Sequence, residues 1–311
     1  GIFYWFCFII DLGEHMKIIA IDAGGTKARF ALYDENGIIL KSIEHPSLHP
    51  LQIGYTKMAQ ALRYGVDTLC ENERVDFISF GLAGYGMNPK IRKSIENAIK
   101  RQFPNEKYSI QSDVDCALMS ALKGNDGIMV IAGTGSIALS QFQGVRSRVG
   151  GWGYWIGDEG SAFWIGKQVL SVFSKMADGR LKKSALYDCV MDSLVLSDES
   201  ELIKILSEHK RPKEAIASLA RICFVASTKD DKHAIKIFKD AAYELSQLIE
   251  VSLKKNPELK TVRLSGGVFE SGDVILKPLR AFLPSDLDIQ PISQPPLYGA
   301  YLIGKLKVEQ V

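Results

Sequence analysis

Residues 17–22 (KIIAID) form a short apolar run that stops at Ala23-Gly24-Gly25, the pattern of a strand buried on both faces. Residues 28–34 then alternate, with Ala28, Phe30 and Leu32 on one face and Arg29, Ala31 and Tyr33 on the other, which predicts a second strand. Asn36-Gly37 marks the hairpin turn into a third strand at 38–43. Leu51, Tyr55, Met58, Leu62, Val66 and Leu69 recur at three- and four-residue steps, so a helix follows. Strand character returns at 75–80. Asn88-Pro89 opens a helix with a capping side chain and a proline in the first turn, and a strand at 108–112 leads into a helix at 114–122.

The opening pattern then repeats. IMVIA (128–132), the turn Gly133-Thr134-Gly135-Ser136 and the alternating IALSQF (137–142) repeat KIIAID, its glycine turn and KARFALY in form, with little shared identity. Residues 160–260 are mostly helical by periodicity, with polar breaks near 196–200, 209–213 and 228–232. TVRLS (261–265) is one more strand, followed by Gly266-Gly267. QPISQPP (290–296) reads as a linker or turn, and 297–307 as a terminal helix. The alternation of strands and helices, opened twice by one strand-turn-strand unit, predicts an α/β fold of two related domains.

A glycine turn directly after a buried strand lets backbone N–H groups approach an anion without a Cβ in the way. Thr26 and Ser136 add hydroxyls, and Asp22 at the end of the first strand is a carboxylate suited to Mg²⁺. Each turn alone is no more than a tight hairpin. Neither is a Walker loop, which needs Gly-Lys-Ser/Thr opening a helix, nor a Rossmann fingerprint. Two turns in matched contexts, with Asp22 and a third Gly-Gly at 266–267, predict a nucleotide clamped between two halves.

Composition narrows the class without naming it. The 311 residues are 46% hydrophobic and 24% charged, ordinary values for a globular protein, and the length exceeds the usual limit of one core. A net charge of +2 gives no basic footprint for nucleic acid. The five cysteines are odd in number and have no metal-ligand spacing, which fits a reducing, cytoplasmic setting and argues against a disulfide framework. Residues 1–15 begin with ten strongly apolar positions. That run is short of the roughly 20 needed to span a bilayer and lacks a basic leader or cleavage site, so it reads as an extension outside the fold, with no membrane partner.

DAGGTKARF, SDVDCAL, IAGTGSIAL, VGGWGYWIGDEGSAFWIG and LSGGVF, in that order over about 16–305, resemble the N-acetylglucosamine kinase and BadF/BadG/BcrA/BcrD ATPase family of the actin/hexokinase-like superfamily. The resemblance implies a duplicated ribonuclease H-like, actin-like ATPase fold, with domains at 16–124 and 125–296, a nucleotide cleft between them, and the 297–311 helix packing back on the first. It further implies an ATP- and Mg²⁺-dependent kinase of an aminosugar or hexose. N-acetylglucosamine is favoured, at its 6-hydroxyl, with a broad-specificity hexokinase or glucosamine kinase as the alternative. A homodimer is the implied assembly. By the same resemblance Asp22 holds the metal. Gly24, Gly25, Thr26 and Lys27 form the first phosphate motif, Gly133, Thr134, Gly135 and Ser136 the second, and Gly266 and Gly267 the adenosine motif. Asp113 is the implied general base and touches the sugar, with Gly151, Trp152, Gly153 and Asp158.

The residues alone leave alternatives. Asp113 could simply cap the helix that follows it, and Asp115 is a competing carboxylate. Asp158-Glu159 could be the cap and first-turn acid of the next helix. Trp152, Trp155 and Trp164 could be core. Where the family often has a sugar-binding asparagine, this chain has the loop HPSLHPLQIG, with His49 near the expected place. Two rival functions remain: an ATPase that activates a 2-hydroxyacyl-CoA dehydratase through an iron–sulfur cluster, for which no cysteine is suitably placed, and a non-catalytic sugar sensor.

Overall fold

The computed structural model describes residues 16–310 except 26, 72 and 87. The 1–15 extension and Thr26 lie outside the described residues. The chain divides into two units, one reaching Lys123 and resuming at Gln294, the other running from Gly124 to Ser293.

In the first unit, β1 (Ile18–Ala23), β2 (Lys27–Tyr33), β3 (Ile39–Pro46), β4 (Phe77–Leu82) and β5 (Tyr108–Ser112) form one sheet in the order β3-β2-β1-β4-β5. The β1-β2-β3 meander is antiparallel, while β4 and β5 run parallel to β1. Parallel strands are covered on both faces, and the sequence of β1 shows why it tolerates that: Ile19 and Ile21 face one core, Ile18 and Ala20 the other. The helices are α1 (Pro50–Ile53), α2 (Tyr55–Cys70), α3 (Pro89–Gln102) and α4 (Asp113–Leu122). Leu62 and Val66 of α2 and Ile95 and Ile99 of α3 fill the first core.

The second unit repeats the topology. Its strands β6 (Gly127–Ala132), β7 (Ser136–Phe142), β8 (Val145–Gly150), β9 (Thr261–Ser265) and β10 (Asp288–Pro291) have the order β10-β9-β6-β7-β8, strand for strand the arrangement of the first sheet. The meander β6-β7-β8 is antiparallel, and β9 and β10 are parallel to β6. Its helices are α5 (Ala162–Ala177), α6 (Ala185–Ser193), α7 (Glu201–Glu208), α8 (Pro212–Ser227), α9 (Lys232–Lys255) and α10 (Asp273–Ala281). The three polar breaks fall between α6 and α7, α7 and α8, and α8 and α9. The last helix, α11 (Pro296–Glu309), belongs to the first unit, where Leu297, Ala300 and Tyr301 close the second face of its sheet beside Cys116.

Three elements depart from the sequence expectation. β8 is an exposed edge strand. α10 forms around an internal Pro278. The segment read as a proline-rich linker begins inside β10, whose Pro291 lies on the last residue of an edge strand, where a missing N–H is tolerated.

Candidate active site

Both sets of chemistry-bearing residues sit at the carboxyl ends of parallel strands, the usual binding edge of an α/β sheet. In the first unit Ala23, Leu82 and Ser112, the last residues of β1, β4 and β5, are in register. That register brings Asp22 and Asp113 to one edge, close enough for their charges to interact. Burial, then the Asp113 carboxylate, pushes the Asp22 pKa up to about 6, against a smaller lowering by Arg29. The Asp113 carboxyl is also raised, chiefly by burial. N–H groups of Val114 and of Asp113 itself oppose that rise.

The cap of α4 is Ser112. Its Oγ accepts from Asp115 N at 3.0 Å, and Asp115 Oδ2 in return accepts from Ser112 N at 3.2 Å and from Ser112 Oγ at 2.8 Å. This reciprocal pair is a complete capping box. Asp115, the competing carboxylate, is committed to it. Asp113 lies outside that pair, its Oδ1 accepting from Val114 N at 3.0 Å, and because Ser112 holds the cap position the capping alternative for Asp113 does not hold.

His49 caps the short helix α1, its Nδ1 accepting from Leu51 N at 3.2 Å. A neutral ring used this way carries its proton on Nε2. Nε2 faces Gly84, 3.4 Å from where a Cβ would stand there. In the first glycine turn Gly24 N donates to Lys27 O at 3.0 Å, while Gly25 is exposed. The Lys27 ammonium, expected at a phosphate, pairs with Glu44 across the hairpin at 3.2 Å.

In the second unit the turn Gly133–Ser136 joins β6 to β7. Gly133 N donates to Gly135 O at 2.9 Å, and Gly133 O accepts from Ala162 N at 2.8 Å, tying the turn to the start of α5. Ser136 is buried and its hydroxyl donates to Glu159 O at 2.6 Å, so the hydroxyl offered to phosphate by sequence is engaged within the protein. Thr134 is exposed. Gly266 has φ +107°, and a Cβ there would collide with the Ala132 carbonyl, so only glycine lets the loop after β9 lie this close to the end of β6. Gly133, Thr134 and Gly267 line a cavity of about 580 Å³ whose other wall is α8, through Ala217, Arg221 and Phe224. Nothing in the sequence marked α8 as part of a site.

Asp158 is likewise not the cap of α5. Ser161 is, accepting from Trp164 N at 3.2 Å. Asp158 holds φ +62° and is 5% exposed, with Oδ2 2.5 Å from the place of a Gly135 Cβ. Its carboxylate therefore packs on the Gly133–Ser136 turn and pairs with Lys213 of α8 at 3.7 Å. Trp152 and Trp155 are exposed at 67% and 83%, so the core alternative fails for both, while Trp164 packs partly buried on the core of this unit. Gly151 and Gly153 adopt positive φ on either side of Trp152, whose ring lies 5.3 Å from the Arg148 guanidinium.

A model of the BadF/BadG/BcrA/BcrD ATPase family matches residues 19–303. An N-acetylmuramic acid/N-acetylglucosamine kinase of Clostridium acetobutylicum is 29% identical over 280 residues, covering 86% of this chain and 90% of the relative. An N-acetyl-D-glucosamine kinase of Dictyostelium discoideum is 30% identical over 252 residues, 76% of this chain and 79% of the relative. Among solved structures, a candidate N-acetylglucosamine kinase from Chromobacterium violaceum superposes with a TM-score of 0.72 at 25% identity, covering 94% of this chain and 99% of the other.

Proposed function

The chain belongs to the BadF/BadG/BcrA/BcrD ATPase family, and from that premise we propose that it is an ATP-dependent kinase of an aminosugar or hexose, N-acetylglucosamine foremost, acting at the 6-hydroxyl. The observation that carries this reading is Asp113: a carboxylate raised by burial, at the strand edge beside Asp22, and released from helix capping by the Ser112–Asp115 pair.

The sugar hydroxyl donates a hydrogen bond to the Asp113 carboxylate, which orients it and takes its proton as the hydroxyl oxygen bonds to the γ-phosphorus. The bond from that phosphorus to the bridging oxygen breaks, and ADP leaves with the electron pair. A raised pKa makes Asp113 a better proton acceptor at the moment of transfer. Backbone N–H groups of Gly25, Thr134 and Gly135 hold phosphate oxygens, and the α8 cavity beside Gly267 takes the adenosine. His49 Nε2–H and the backbone around Gly151–Gly153 contact the sugar.

The residues present fit Mg²⁺. Among the described residues no three His, Cys, Asp or Glu converge into an all-protein cage, whereas Asp22 is a desolvated carboxylate whose charge is poorly compensated. Mg²⁺ takes few carboxylates and keeps phosphate and water ligands. Asp22 would hold it, and when bound it neutralises phosphate charge.

A homodimer in the cytoplasm is the proposed setting, resting on the family resemblance and testable by sedimentation. Among the described residues no helix is long and apolar enough to cross a membrane. The function itself is tested by coupled ADP release with N-acetylglucosamine, N-acetylmuramic acid, glucosamine, glucose and mannose. Stimulation by at least one sugar is expected, largest with N-acetylglucosamine. No stimulation by any of them overturns the kinase reading.

A further inference from the structure

We propose that Lys213, on the first turn of α8, is a ligand of the nucleotide's β- and γ-phosphates. The inference rests on the nucleotide reading above and adds a residue that neither the glycine motifs nor their spacing indicates.

The starting point is a conflict of charge. Asp158 is 5% exposed and its Oδ2 lies 2.5 Å from where a Cβ would stand on Gly135, within the turn whose backbone N–H groups are to hold phosphate. An uncompensated carboxylate there would repel the polyphosphate it adjoins. The compensating cation is Lys213, with Nζ 3.7 Å from Asp158 Oδ2 and 4.9 Å from the Tyr154 ring centroid.

Two features make Lys213 more than a strut for Asp158. A close ammonium–carboxylate hydrogen bond is about 2.7–2.9 Å, so at 3.7 Å the ammonium is only loosely held and its three donors are not consumed by the pair. The helix that carries it also forms the wall of the 580 Å³ cavity opposite Gly133, Thr134 and Gly267. Gly133 and Thr134 line the same cavity as Ala217 and Arg221, so a nucleoside seated against α8 shares that cavity with the turn on which Asp158 packs. A cation in the first turn of a helix is at the electrostatically unfavourable end. Asp158 offsets that cost in the protein alone, and a phosphate would offset it further. Lys213 then acts as a point charge on phosphate oxygen, its ammonium lying over the Tyr154 ring.

The test uses the full-length protein, with ADP and adenosine titrated calorimetrically into wild type, Lys213→Met, Lys213→Arg and Asp158→Asn. Methionine keeps an unbranched side chain of similar length and removes the charge. Lys213→Met is expected to weaken ADP about 10- to 100-fold, the loss of one charge-assisted contact, while adenosine binding is unchanged. Lys213→Arg recovers most of the ADP affinity. Asp158→Asn binds ADP as tightly as wild type or more tightly, because a neighbouring anion is gone. If wild type binds ADP and Lys213→Met binds it equally well, the inference alone falls. If Lys213→Met loses adenosine as well, or Asp158→Asn weakens ADP as much as Lys213→Met does, Lys213 supports the pocket instead of touching phosphate, and the inference falls. If wild type binds no ADP, the nucleotide reading fails and takes the inference with it.

Discussion

Replacing Asp113 by asparagine separates two roles that one carboxylate could have held. If Asp113 capped α4, its loss would orphan a first-turn N–H and cost about 1 kcal/mol, the usual effect of removing a cap. The structure gives that role to Ser112, which accepts from Asp115 N at 3.0 Å and whose own N–H is satisfied by Asp115. Ser112→Ala is therefore the variant expected to lose about 1 kcal/mol, and roughly 2–4 °C in a domain of this size. Asp113→Asn keeps an acceptor for Val114 N and removes a charge that burial disfavours, so its stability is expected to match or exceed wild type. Its kcat should fall by about 10²- to 10⁴-fold, the range for removing a positioned general base, equivalent to roughly 3–5.5 kcal/mol of barrier. Urea melts of both variants, beside sugar-stimulated ADP release, give the comparison. An Asp113→Asn protein as destabilised as Ser112→Ala, with near-normal kcat, would refute the reasoning at both steps.

Three further outcomes follow from single contacts. The Asp22 carboxyl is pushed from its ordinary 3.8 to about 6, so in the folded state its ionised form costs about 3 kcal/mol more than in the unfolded chain. A raised folded-state value favours folding at low pH and is lost as pH climbs through 6. Asp22→Asn should thus gain up to about 3 kcal/mol at pH 8 and almost nothing near pH 4, while losing any stabilisation by Mg²⁺ with ADP; urea melts at the two pH values that show a pH-independent difference would contradict this. Gly266→Ala forces a Cβ against the Ala132 carbonyl at φ +107°, an expected loss of about 1–3 kcal/mol with weaker ADP binding, read by melting and titration. Ser136→Ala removes a buried 2.6 Å hydrogen bond to Glu159 O and should cost about 1–3 kcal/mol; an unchanged melt would show that the bond does not hold the turn.

The strand-turn-strand repeat was legible because burial on both faces leaves an unmistakable run, IIAI in β1 and IMVIA in β6, and because a glycine turn follows each run. β10 was not legible for the converse reason. DIQP is a short edge strand with one buried position, and such a strand carries too few apolar residues to stand out from a proline-rich turn. The site divides along the same line. Asp22, Asp113 and the glycine turns sit where strands end, and that position can be read from local pattern. Which residue caps a helix cannot, because Ser112 and Asp113 both offer a capping oxygen and a one-residue shift in the helix start exchanges their roles, as a three-residue shift would for Ser161 and Asp158. In both cases a serine is the cap, and the acid is left free for other work. Lys213 lies furthest from sequence reach, since it meets Asp158 only through the packing of α8 against α5, and no spacing along the chain encodes that contact. A carboxylate that has shed its capping role is for that reason the better guide. Asp113 draws attention to its strand edge, and Asp158, buried on the Gly133–Ser136 turn, is paired with a cation that only the folded chain reveals.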